Sequence, residues 1–111
     1  MDRTLAKSLI QEYKTQNSSA GGSGLKTPEG QHLHGFFISR ECLESILKDS
    51  KVTGVSVHFA KHPKFKGSNE KVITLVIAGG EPAPAGWATP LVSNGEVYGD
   101  PPPCPTVCNN L

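Results

Sequence analysis

Two cysteines, Cys104 and Cys108, stand four residues apart in the proline-dense stretch "DPPPCPTVCNN". Four chemistries share that appearance. A zinc site is one: the pair fits half of a tetrahedral set, and closure needs two more ligands from elsewhere. His32 and His34 are the candidates, because residues two apart on a strand present their side chains on one face. A disulfide is another, requiring Cα atoms within about 7 Å, and Pro105 favours the turn that achieves it. A thioredoxin-like redox pair is a third, although that chemistry uses two intervening residues and a helix N-terminus to lower a thiol pKa. In the fourth, the prolines stiffen a tail laid across the domain and the cysteines pack as small apolar groups. Spacing alone leaves all four open, with packing first, then disulfide, metal and redox.

Cys42 falls in the first turn of a predicted helix, where the dipole would stabilise a thiolate and a nearby histidine would make it a nucleophile. Beside Leu43 and Ile46 it also reads as a buried small hydrophobe, the preferred reading. The histidines in "HLHGFF" and "HFAKH" lack a Ser, Cys or carboxylate at motif spacing, so no catalytic arrangement is assigned to them. "GGEPAPAG" places glycines after a strand, but Pro82 and Pro84 remove the backbone donors a phosphate cradle needs. Asp100 offers one oxygen without a calcium-loop pattern around it. The basic run Lys61, Lys64 and Lys66, interleaved with Phe65, reads as a solvated loop.

These residues need elements to hold them. "DRTLAKSLIQEYKTQ" repeats Leu5, Leu9, Ile10 and Tyr13 at helical spacing, with Asp2 as cap, and stops in "NSSAGGSG", read as a flexible Gly/Ser loop at 17–24. Pro28 and Gly30 mark a turn before a short strand in "HLHGFFIS". Ser39 caps a second helix from Arg40 to Lys48, with Leu43, Ile46 and Leu47 on one face. "VTGVSVHFA" alternates Val55, Val57 and Phe59 against Ser56, His58 and Ala60, predicting a strand that buries the first row and turns His58 away from the core. "KVITLVIAGG" is apolar throughout, as a central strand is, and "KHPKFKGSNE" joins the two as a long hairpin loop. "GGEPAPAGWATP" predicts an irregular connector around Trp87, and "LVSNGEVYGD" a weak hairpin turning at Asn94-Gly95.

The expected architecture is a single α+β domain over 1–111: a small, mainly antiparallel sheet covered on one face by two helices, with an irregular Pro/Gly-rich C-terminal segment and tail at 99–111. With 111 residues, 36% of them apolar and 19% charged, the chain is long enough for one core and lies outside the disordered regime. A formal charge of +1 gives no footprint for nucleic acid. No stretch reaches the length of a membrane span. Asp2 and Arg3 follow Met1 and no apolar run of about seven residues opens the chain, so no secretory signal is expected. A cytoplasmic, reducing setting follows, and an odd cysteine count agrees with it.

"HGFFISRECLESILKDSKVTGVSVHFAKH", "KVITLVIAGG" and "YGDPPPCPTVC" together resemble a group of small uncharacterised bacterial proteins that end in a Gly/Asp-Cys-Pro-x-x-Cys-type tail. This chain differs in having three residues between the cysteines and a longer stretch near Gly21. The resemblance implies one domain and carries no activity with it. The expectation is a non-enzymatic protein-interaction module without a cofactor, whose partner meets the N-terminal helix, the Trp87 loop or the tail. The alternative is a zinc-binding protein using Cys104, Cys108, His32 and His34, and the least favoured is a cysteine-dependent enzyme built on Cys42.

Overall fold

The computed structural model describes residues 1–22 and 24–111. In chain order its elements are α1 (Arg3–Ser18), β1 (Gly35–Phe36), α2 (Arg40–Leu47), β2 (Gly54–Lys61), β3 (Ile73–Pro82), β4 (Leu91–Val92), β5 (Val97–Gly99) and β6 (Pro103–Cys104), with a 3-10 turn at Pro63–Phe65. The fold is α+β with a mainly antiparallel sheet. The chain groups into two compact units: Met1–Phe37 with Lys61–Ile73 and Pro102–Leu111, and Ile38–Ala60 with Thr74–Pro101. No described helix is long and apolar enough to cross a membrane.

In the first unit, Asp2 caps α1 by accepting the Leu5 N–H at 3.1 Å, as its residue type favours. The helix runs on to Ser18, so the first two residues expected in the loop at 17–24 belong to it; Ser23 of that loop lies outside the described residues. Asn17 is only 2% exposed. Its amide nitrogen donates to the carbonyls of Leu25 (3.1 Å) and Leu33 (3.2 Å), and its oxygen accepts the Leu25 N–H at 2.8 Å. The Tyr13 hydroxyl also donates to the Leu33 carbonyl, at 3.1 Å. The inward line of α1 is therefore Ala6, Tyr13 and Asn17; of the predicted apolar stripe only Tyr13 turns inward, and Leu5, Leu9 and Ile10 remain exposed.

The segment held by Asn17 doubles back on itself. Leu33 N–H bonds the Leu25 carbonyl, Thr27 N–H bonds that of Gln31, and the turn closes from Gly30 N–H to the Thr27 carbonyl at 2.9 Å. Gly30 sits at φ 87°, where a side chain would be strained. Leu33 and Val72 supply the buried apolar contacts of this unit. The tail, expected to be irregular from 99 onward, supplies a strand: β6 pairs antiparallel with β1, Gly35 opposite Cys104 and Phe36 opposite Pro103.

In the second unit β3 is the central strand, with Leu75, Ile77 and Ala78 buried. Its sheet order is β2-β3-β4, and β5 also pairs with β3. β2 and β3 are neighbours, as the long-hairpin reading requires. Ser39 caps α2, accepting the Cys42 N–H at 3.2 Å, and the helix ends at Leu47, one residue before the predicted Lys48. Ile46 is its buried residue. A Cβ placed on Gly79 would lie 2.9 Å from Ile46 Cγ2 and 3.2 Å from both Val52 methyls. The bare backbone of Gly79 thus lets α2 approach the sheet.

The weak hairpin predicted at Asn94-Gly95 does not form. β4 runs antiparallel to β3 at Glu81 and Pro82, and β5 runs antiparallel to β3 from Val76 to Ala78. Two strands antiparallel to the same neighbour run the same way, so they cannot pair as a hairpin; they are successive pieces of one interrupted strand. The long apolar edge of β3 offers both more partners than they offer each other.

Candidate functional site

Cys104 and Cys108 are joined as a disulfide with their Cα atoms 4.9 Å apart. Val107 N–H closes the turn by donating to the Pro103 carbonyl at 3.0 Å. His34 lies beside the ring through its backbone, its N–H donating to the Cys104 carbonyl at 2.7 Å. His32, two residues away, has its Nδ1 buried with no hydrogen-bond partner among the described residues. The chain thus brings three of the four predicted zinc ligands, His34 and both cysteines, to one corner, and the charge of His32 is felt at His34. The sulfurs are nevertheless bonded to each other, and among the described residues no group of three or more His, Cys, Asp or Glu is arranged to hold a metal ion.

Burial, and then the positive charges of Lys14 and His32, hold the His34 imidazole below its ordinary value of 6.5, since both effects disfavour the imidazolium. The neutral form is the one the fold prefers. Its stabilising share is therefore complete above an ordinary pKa of about 6.5 and is lost as pH falls through the lowered value. Chemical denaturation at about pH 7.5 and about pH 5 should show wild-type stability falling with acid, and His34→Gln should fall by less.

Cys42 is a free thiol, half-buried at the third position of α2, with its N–H used by the Ser39 cap. His58 is the histidine that shares its unit. Asp100 takes a structural part, its carboxylate accepting the Thr74 hydroxyl at 3.3 Å while its N–H bonds the Leu75 carbonyl. Within the basic loop, Lys61 Nζ is clasped by the carbonyls of Ser68 (2.9 Å) and Glu70. His62 is buried, its Nδ1 accepting the Lys64 N–H at 3.2 Å and its ring meeting Phe65 edge-on. Lys64 and Lys66 remain exposed.

The arrangement with the plainest capacity for recognition is on β2, where sequence periodicity points elsewhere. Residue types alternate, but the apolar row is exposed: Val57 is 44% and Phe59 81% exposed, with Val55 exposed beside them. His58 of the other row is exposed as well, and no residue of β2 is buried. Their face can be fixed from the glycines of β3. A Cβ on Gly80 would point toward Ser56 Oγ (3.9 Å), whereas one on Gly79 meets Ile46. Ser56 and His58 therefore lie on the face away from α2, and Val55, Val57 and Phe59 on the α2 face. Cys42, carried by α2, has His58 across the sheet from it. The helix has 8 residues and so is only about 12 Å long. That length leaves the β2 row uncovered.

The same phase fixes the backbone. Leu75 turns its carbonyl to Asp100 beside β5, so the even-numbered residues of β3 turn their amides to β2. Ser56 shares a face with Gly80, so even-numbered residues of β2 bond β3 and the odd ones, Val55, Val57 and Phe59, point N–H and C=O to the outer edge. Thr53 N–H also reaches the Gly80 carbonyl at 2.9 Å, out of phase with Ser56, which marks a bulge where β2 begins. Among the described residues no strand pairs with that outer edge. An edge strand of 8 residues, without proline and with Lys61 only at its end, lacks the devices that usually block pairing.

Compared with protein-family models, curated proteins and solved structures, the chain finds no match.

Proposed function

We propose that the chain is a non-enzymatic protein-interaction module and that the outer edge of β2 is its contact strand. The observation that carries this reading is the coincidence, on three alternate residues, of an unpaired backbone edge and an exposed apolar row: Val55, Val57 and Phe59. Strand addition to a sheet edge draws affinity from main-chain hydrogen bonds and selectivity from alternate side chains, and β2 supplies both. A benzophenone amino acid in place of Phe59 tests it by photo-crosslinking in cells. A discrete adduct is expected from that position and none from the same group in place of the exposed Ser50; equal yields at the two positions would remove the reading.

A second reading, zinc binding, draws on the placement of His34 beside Cys104 and on the unpartnered Nδ1 of His32. Reduction would release two thiolates to join two imidazoles, a donor set zinc accepts. Elemental analysis of reduced protein after zinc addition decides it: stoichiometric zinc lost in Cys104→Ser supports the reading, and substoichiometric zinc in the wild type removes it.

A further inference from the structure

The strand that lies open on β2 is complementary to itself, and from this we infer that the partner is a second copy of the chain, paired β2 to β2 in antiparallel fashion about a two-fold axis through Val57. This inference rests on the reading of β2 as the contact strand and adds the identity of the occupant.

The register follows from the positions already fixed. Val55, Val57 and Phe59 turn their amides outward, so a two-fold centred on Val57 sets Val57 against Val57 of the second copy and Val55 against Phe59 of the second copy, twice. All three are hydrogen-bonded pairs, each exchanging two N–H···O bonds. Aromatic against β-branched side chains is a favourable cross-strand combination. A shift of one residue would put Val57 opposite His58 and apolar against polar faces, so the alternation itself rejects the neighbouring register. Centring the axis on Phe59 instead would set Val57 against Lys61.

Charge agrees with this occupant. Between Gly54 and Ala60 the strand carries no carboxylate and no lysine. Lys61 of each copy falls at opposite ends of the paired strands, each facing Thr53 of the other, so the pairing juxtaposes no like charges. Both copies present the α2 face on the same side, and the two apolar rows join into one continuous patch.

Two variants test the pairing without touching the bonds to β3. Val57→Pro deletes an outward N–H, and proline is tolerated on an edge strand whose N–H faces solvent. Phe59→Lys places a charge in the apolar row. In sedimentation equilibrium the wild type should approach the mass of two copies as concentration rises, and either variant should raise the dissociation constant about tenfold or more, with circular dichroism unchanged. A wild type that keeps the mass of one copy at every concentration overturns the inference, as do variants that associate like the wild type. If the single-copy result is accompanied by a discrete adduct from position 59 to a different protein, the contact-strand reading stands and only the second copy is lost. If no adduct forms either, both fall.

Discussion

Asn17→Ala is expected to destabilise the first unit by about 3 kcal/mol. Three backbone groups meet one buried amide: the Leu25 N–H, the Leu25 carbonyl and the Leu33 carbonyl. A buried polar group left without its partner costs about 1–3 kcal/mol. The Leu33 carbonyl keeps the Tyr13 hydroxyl, so the sum stays below three full penalties. Urea denaturation measures the loss. Asn17→Asp sharpens the interpretation. A carboxylate still accepts the Leu25 N–H but faces two carbonyls it cannot bond, whereas the acid form donates to one of them. Burial against two carbonyls raises the folded-state pKa of that aspartate above its unfolded value of about 3.9, so the deficit of Asn17→Asp should shrink as pH falls through the raised value and be smallest below about 4. A change under about 1 kcal/mol in Asn17→Ala would show that water replaces the side chain and that the clamp is not what orders the doubled-back segment.

Gly79→Val should cost about 2–3 kcal/mol in the second unit. Its Cβ alone would sit 2.9 Å from Ile46 Cγ2, inside any ordinary carbon contact, with the Val52 methyls 3.2 Å away. Ile46 is buried and cannot swing outward without leaving the sheet. Overpacking of this kind is relieved by displacing the neighbour, here α2 as a whole. Pairing the change with Ile46→Ala should recover part of the loss, because the shortened side chain makes room for the valine methyls. A double variant as unstable as the sum of the two single ones would contradict a direct clash.

The parts of the fold that local chemistry specifies were legible in the residues. Asp2 and Ser39 cap helices as their types require, and the apolar run at Ile73–Ala78 forms the central strand beside β2. Sequence periodicity located β2 and turned His58 outward, but the apolar row it expected to be buried is exposed, and no residue of the strand is buried. Alternation states that two faces differ and not which one a short helix such as α2 can reach. Asn17 followed by Ser, Ser, Ala and Gly has the composition of a helix stop; its burial depends on where Leu25 and Leu33 arrive, which is a tertiary matter. β6 was hidden for a related reason. Proline depletes strands, yet a short edge pairing suffices when His34 and Phe37 donate to the carbonyls of Cys104 and Pro102. The predicted site residues divide in the same way: spacing identified the cysteine pair and the nearby histidines, while the choice among packing (the reading placed first), disulfide, metal and redox depends on where the sulfurs meet, and they meet as a disulfide.

Amide hydrogen exchange along β2, read residue by residue by NMR at low and high protein concentration, tests the central claim most directly. The even-numbered amides of Ser56, His58 and Ala60 should be protected at both concentrations, because they bond β3. Those of Val55, Val57 and Phe59 should exchange freely in dilute solution and become protected as concentration rises. Protection of the odd amides in dilute solution, or their free exchange at every concentration, would contradict the account.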